Sequence, residues 1–127
     1  MGTFDIKELS HPPYETNEGG TLTRVTITKR FTGDLQGESV VRMLRVVTMV
    51  PGSTGYVAME RVTGTLHGRK GSFFLQHNGT MTRGVPVSSI FVVPDSGTGA
   101  LTGIAGTMTI TVANGKHSYA FDYTLRR

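Results

Sequence analysis

Glu60 and His77 are the residues of this chain best suited to chemistry: a carboxylate and an imidazole set in stretches that alternate apolar with polar side chains. If both project into one apolar interior, burial disfavours the charge on each, while each favours the ionised form of the other. Such environments tune an acid and a base. The same pair has a structural use, in which an arginine of a neighbouring strand, Arg42 or Arg45, neutralises Glu60 and a tyrosine hydrogen-bonds His77. Tyr56, Tyr119 and Tyr123 share the alternation. Inward tyrosines suit a small, largely apolar ligand with one polar handle, and they serve equally as core residues bonded to backbone.

These side chains meet only if strands hold them. Seventeen glycines and many Thr and Val residues lie in short alternating runs parted by Gly-centred breaks, with no sustained helical period. Candidate strands run over residues 4–9, 22–31, 40–49, 56–66, 72–82, 85–93, 107–113 and 116–125, which predicts an all-β antiparallel barrel or sandwich. The loosest stretch is 11–20.

Turn residues set the register. Asn114-Gly115 is a two-residue type I′ hairpin signal that pairs Val112 with His117, Ile110 with Tyr119 and Met108 with Phe121. Arg69-Lys70, bracketed by Gly68 and Gly71, predicts a second hairpin with Leu66 opposite Phe73 and Val62 opposite His77. Arg83-Gly84 continues the meander, with Leu75 opposite Val92 and His77 opposite Ile90. One face then collects Tyr56, Ala58, Glu60, Val62, Leu66, Phe73, Leu75, His77, Ile90 and Val92, joined by Tyr119, Phe121 and Tyr123 from the last hairpin. Glu60 lies diagonal to His77, at the ~7–8 Å that long side chains can close. Phe73, Leu75, Ile90 and Phe121 therefore join the three tyrosines as candidate ligand contacts. Phe74 and Phe91 fall on the opposite face, which implies a covering segment or a second subunit and hence a homo-oligomer.

At 127 residues and 37% hydrophobic content, residues 1–127 read as one domain. The absence of cysteine removes disulfides, thiolate metal sites and a cysteine nucleophile. The net charge of +4 is spread along the chain, with Arg126 and Arg127 contributing two of the cations, and reads as a solvated exterior and not a nucleic-acid track. No stretch approaches the ~20 apolar residues of a membrane span and no secretory leader opens the chain, so a cytoplasmic protein is expected. Gly97-Thr98-Gly99-Ala100-Leu101-Thr102-Gly103 lacks the spacing and the following helix of a dinucleotide fingerprint and reads as turn glycines. The four histidines lack metal-ligand spacing, and the serines lack a nucleophile-elbow context. No metal and no cofactor is expected.

The strings Glu60-Arg61-Val62-Thr63-Gly64-Thr65-Leu66, Gly68-Arg69-Lys70-Gly71-Ser72-Phe73-Phe74-Leu75-Gln76-His77 and Val92-Val93-Pro94-Asp95-Ser96-Gly97-Thr98-Gly99 resemble a family of small bacterial proteins known as a domain of unknown function. That family is similar in fold to the allene oxide cyclase-like, calycin-type barrels. The resemblance extends from Gly2-Thr3-Phe4 through Phe31-Thr32-Gly33-Asp34-Leu35 to His117-Ser118-Tyr119 and Asp122-Tyr123. It implies a closed eight-stranded antiparallel barrel with a central cavity and no established activity. Allene oxide cyclases steer a reactive epoxide inside an apolar lumen beside a buried carboxylate; the resemblance sets Glu60 beside that group by loose analogy of fold alone, with no residue-by-residue match. Two functions follow as expectations: a barrel enclosing a small apolar ligand, or a cofactor-free isomerase or cyclase in which Glu60 and His77 move a proton. A purely structural or interaction protein is the remaining alternative.

Overall fold

The structure, a computed structural model, describes residues 1–125; Arg126 and Arg127 lie outside the described residues. The strands are β1 (Gly2–Ser10), β2 (Glu15–Asn17), β3 (Gly20–Gly33), β4 (Leu35–Thr48), β5 (Thr54–Leu66), β6 (Arg69–Thr82), β7 (Val85–Val92), β8 (Ile104–Ala113) and β9 (Lys116–Leu125). The sheet order β1-β9-β8-β7-β6-β5-β4-β3 is closed by pairing of β1 with β3, a closed eight-stranded antiparallel barrel to which β2 adds a short pairing on β3. The period-two alternation makes this possible: along β6, Phe73, Leu75, His77 and Gly79 are buried while Phe74 and Asn78 between them are exposed. No helix of the described residues is long and apolar enough to cross a membrane.

Two sequence expectations change. β4 starts at Leu35 and not near residue 40, because Leu35 pairs with Leu66 and Ser39 with Val62, and that burial outweighs the polar local composition. The β5–β6 hairpin turns at His67-Gly68 and not at Arg69-Lys70. A type I′ turn needs positive φ at both central residues, and His67 (47°) and Gly68 (80°) supply it. Leu66 therefore pairs with Arg69, Val62 with Phe73, and His77 with Ala58. Because the slip is an even number of residues, every side chain stays on its expected face, and His77 remains diagonal to Glu60 through the Glu60–Leu75 pair. The Arg83-Gly84 and Asn114-Gly115 turns have the expected register, with His77 opposite Ile90 and Val112 opposite His117.

One end of the barrel is solid. Phe4, Phe31, Leu35, Leu66, Phe73, Leu75 and Tyr119 fill it, and Leu101, from the 3-10 turn Gly99–Leu101, plugs the base. The glycine-rich stretch thus works as turns: Thr98 N–H donates to the Ser72 carbonyl at 2.8 Å and lays the segment along β6. The wall is weakest between β7 and β8, which share one ladder pair, Phe91 with Thr107. Above that pair the two strands part.

Candidate functional site

Glu60 stands at mid-barrel, fully buried at 0% exposure, where the solid half meets the half that opens upward. Its inward direction follows from β5, in which Ala58, Glu60, Val62 and Leu66 are the buried alternates. His77 arrives from β6 and donates from Nε2 to Glu60 Oε1 at 2.7 Å. Lys29, from the inward face of β3, donates Nζ to the same oxygen at 3.2 Å, and Ser39 of β4 donates Oγ to Oε2 at 2.5 Å. Lys29 Nζ also lies 4.8 Å from the Phe4 ring centroid, so an aromatic face shares the cation with the carboxylate. Burial pushes the Glu60 carboxyl up, but the His77 hydrogen bond, the Lys29 ammonium and the Ser39 hydroxyl outweigh it, leaving the group below its ordinary value. Glu60 is therefore ionised and purely an acceptor, and Nε2 carries the proton of the His77 bond. No described residue hydrogen-bonds the other ring nitrogen, Nδ1.

The carboxylate is held by a lysine, and neither expected arginine reaches it. Arg42 is exposed on the outer face of β4, and Arg45 lies above the cluster. His77 bonds Glu60 and not a tyrosine. Lys29 and Ser39 carry no signal of this role in the sequence beyond parity: Lys29 falls in the inward alternation Val25, Ile27, Lys29, Phe31, where a lysine needs a buried partner.

Where β7 and β8 part, a cavity of about 240 Å³ opens, lined by Tyr56, His77, Ser88, Ser89, Ile90, Met108, Thr109 and Ile110. Of the expected ligand contacts, Tyr56 and Ile90 join His77 there. The others lie in or against the solid end. Phe73 and Leu75 are buried core, and Tyr119 donates to the Thr32 carbonyl and accepts from Leu35 N–H at 2.9 Å, the backbone-bonded use of a tyrosine. Phe121 stacks on Phe73 at 5.6 Å between centroids, and the Tyr123 hydroxyl bonds His67 Nδ1 at 2.5 Å. Among the described residues, no group of three or more His, Asp or Glu is placed to hold a metal ion.

The sequence of residues 1–123 matches the family model described as protein of unknown function, DUF3224. A solved structure of a DUF3224 protein of unknown function from Shewanella oneidensis MR-1 is 46% identical, superposes with a TM-score of 0.93, and is covered over 99% of this chain and 95% of that one. Comparison with curated proteins gave no match. Family match and backbone agreement coincide over nearly the full barrel, and the chain belongs to the DUF3224 family.

Proposed function

We propose that the barrel binds a small, mostly apolar molecule in the cavity at the β7–β8 parting, with the His77 imidazole as the orienting group. The observation that carries this reading is the asymmetry of His77: Nε2 is fixed by an ionised, fully buried carboxylate, while Nδ1 has no partner among the described residues and His77 lines a cavity. A volume of about 240 Å³ lies below the ~300–1,000 Å³ of drug-sized sites, so the occupant is of single-ring size. A cytoplasmic location, a homo-oligomeric state and the allene oxide cyclase-like grouping belong to the same reading, supported by the cysteine-free chain, the apolar outer face and the closed barrel.

The same asymmetry favours a second, catalytic reading. In the neutral tautomer, a carboxylate that holds Nε2–H leaves the ring's lone pair on Nδ1, where a general base would need it. In a bound ketone, Nδ1 would take a proton from the carbon beside the carbonyl and return it elsewhere, which is isomerisation.

Thermal melts and NMR titrations with neutral phenols and ketones test binding. The parent is expected to melt higher with at least one compound and to shift the His77 ring resonances, and His77→Gln to lose both responses. Binding that is identical in His77→Gln, or no response to any compound, overturns the reading. Deuterium uptake beside the carbonyl of a bound ketone in D2O, absent in His77→Gln, separates catalysis from simple binding.

A further inference from the structure

Pro86 stands inside β7, yet the β6–β7 ladder runs through it without a break, from Thr82–Val85 to Leu75–Val92. A proline has no N–H to give, so its backbone is turned away from β6, toward β8. Alternate residues of an antiparallel strand point both their N–H and their C=O to the same neighbour, and Ser88 and Ile90 therefore share that direction. On β8 the Asn114-Gly115 hairpin closes with the hydrogen-bonded pair Ala113–Lys116, which turns the N–H and C=O of Val112, Ile110 and Met108 away from β9, toward β7.

These two edges face each other and do not join. The pair of Phe91 with Thr107 sets a register in which Ser88 stands opposite Ile110, but the ladder stops before reaching them, so neither has a ladder partner on that side. The space between is the cavity of about 240 Å³, walled by Ser88, Ser89 and Ile90 from one strand and by Met108, Thr109 and Ile110 from the other. A backbone N–H or C=O without its ladder partner still requires one. The lining contains no Asp, Glu, Lys or Arg, and neither strand carries a charged residue, although open strand edges are ordinarily blunted by charge. The parting is thus an uncharged slot with a backbone donor and a backbone acceptor on each wall.

We infer that the parting is a site for a small neutral molecule that carries a secondary amide. A trans amide points its N–H and its C=O in opposite directions, so one such group between two strand edges donates to the carbonyl of Ser88 or Ile110 and accepts from the N–H of the other. An ester of the same shape keeps the acceptor and loses the donor, which leaves one edge carbonyl without a partner. The ring of the ligand fills the cavity beside Tyr56 and His77. This assignment rests on the binding reading above and adds the group by which the ligand is recognised.

Amide hydrogen exchange followed by NMR on the full chain reads the slot directly. Ser88 and Ile110 are expected to exchange fast, while Val87, Ser89, Thr109 and Thr111, bonded to β6 or β9, exchange slowly. N-methylbenzamide and methyl benzoate, alike in shape, then test the ligand class by titration. The amide is expected to bind about tenfold more tightly than the ester and to slow exchange at Ser88 or Ile110. Equal affinity of the two compounds, or tighter amide binding with exchange unchanged at both residues, overturns the amide assignment. So does protection of Ser88 and Ile110 in the free protein equal to that of their neighbours, since the slot is then closed. Each of these results leaves the neutral-ligand reading standing. Absence of binding by either compound and by the phenol and ketone set overturns both.

Discussion

Glu60 is the most constrained side chain of the barrel, because all its partners come from other strands and none reaches solvent freely: Lys29 is 7% exposed, His77 5% and Ser39 3%. Breaking a buried ion pair from one side leaves an uncompensated charge, whereas replacing both partners with apolar groups is often neutral. Glu60→Leu is thus expected to cost about 3–5 kcal/mol in urea unfolding at neutral pH, and Glu60→Leu combined with Lys29→Met to recover most of it. A single-variant cost indistinguishable from zero would mean that the cluster is not load-sharing in the fold. The acid limb follows from the lowered Glu60 carboxyl. A carboxyl depressed by folding contributes stability that is fully present above its ordinary value and is lost as pH falls through the lowered one. Melting temperature should therefore drop below about pH 4.3, the ordinary value for glutamate, and less steeply in Glu60→Gln. Parity alone pointed to Glu60 and His77. It pointed equally to Lys29, which lies inward between Ile27 and Phe31, but a lone lysine in a strand reads as a solvated charge until its partner is known.

Hairpins impose the register, and their chemistry lies in backbone sign more than in side-chain polarity. At the β5–β6 turn, Gly68 adopts φ 80° with nothing within 4 Å of a Cβ, so the cost of a side chain there is purely conformational. Gly68→Ala is expected to lose ~1–2 kcal/mol, the left-handed penalty of an L-residue. Lys70→Ala, on an exposed strand position, should stay within about 0.5 kcal/mol. The reverse order in denaturant unfolding would return the turn to Arg69-Lys70. The two glycines that bracket Arg69-Lys70 point to that pair, yet the geometry needs glycine inside the turn. The Asn114-Gly115 turn was legible because asparagine tolerates positive φ and glycine follows it, at 52° and 75° in the structure.

The assembled barrel leaves an apolar outer face on its three longest-paired strands. Leu44 and Val57 are paired neighbours on β4 and β5, and they are 41% and 54% exposed. Met59 (48%) and Phe74 (40%) extend the patch, with Arg42 and Arg61 among them. The Val93–Thr98 segment lies along the β6 backbone beside Phe74, where Ser96 Oγ accepts from Phe74 N–H at 3.0 Å, but it leaves the ring open. A second copy of the chain is the occupant we expect, since an isologous contact sets the same apolar patch against itself, and a standard interface takes ~800 Å² per partner. Light scattering should give a mass above the 13.7 kDa of one chain, and Phe74→Asp should return it to that value. A parent that is monomeric, or a variant of unchanged mass, removes the prediction.

Which side chains share a face was determined by the sequence, because strand periodicity is a local property of consecutive Cα atoms and an even slip of register leaves it intact. Hence the inward set, the diagonal Glu60–His77 relation and the all-β class were legible from the alternation, while the choice of a closed barrel over a sandwich came only with the family resemblance. Which inward groups meet was decided by closure. Lys29 and Glu60 are separated by 31 positions and belong to non-adjacent strands, β3 and β5, so their contact exists only once the sheet curves. The same holds for the parting of β7 from β8, which opens the cavity. Strand pairing is a non-local balance of ladder bonds and shear around the ring, and no short-range pattern records where one seam gives way.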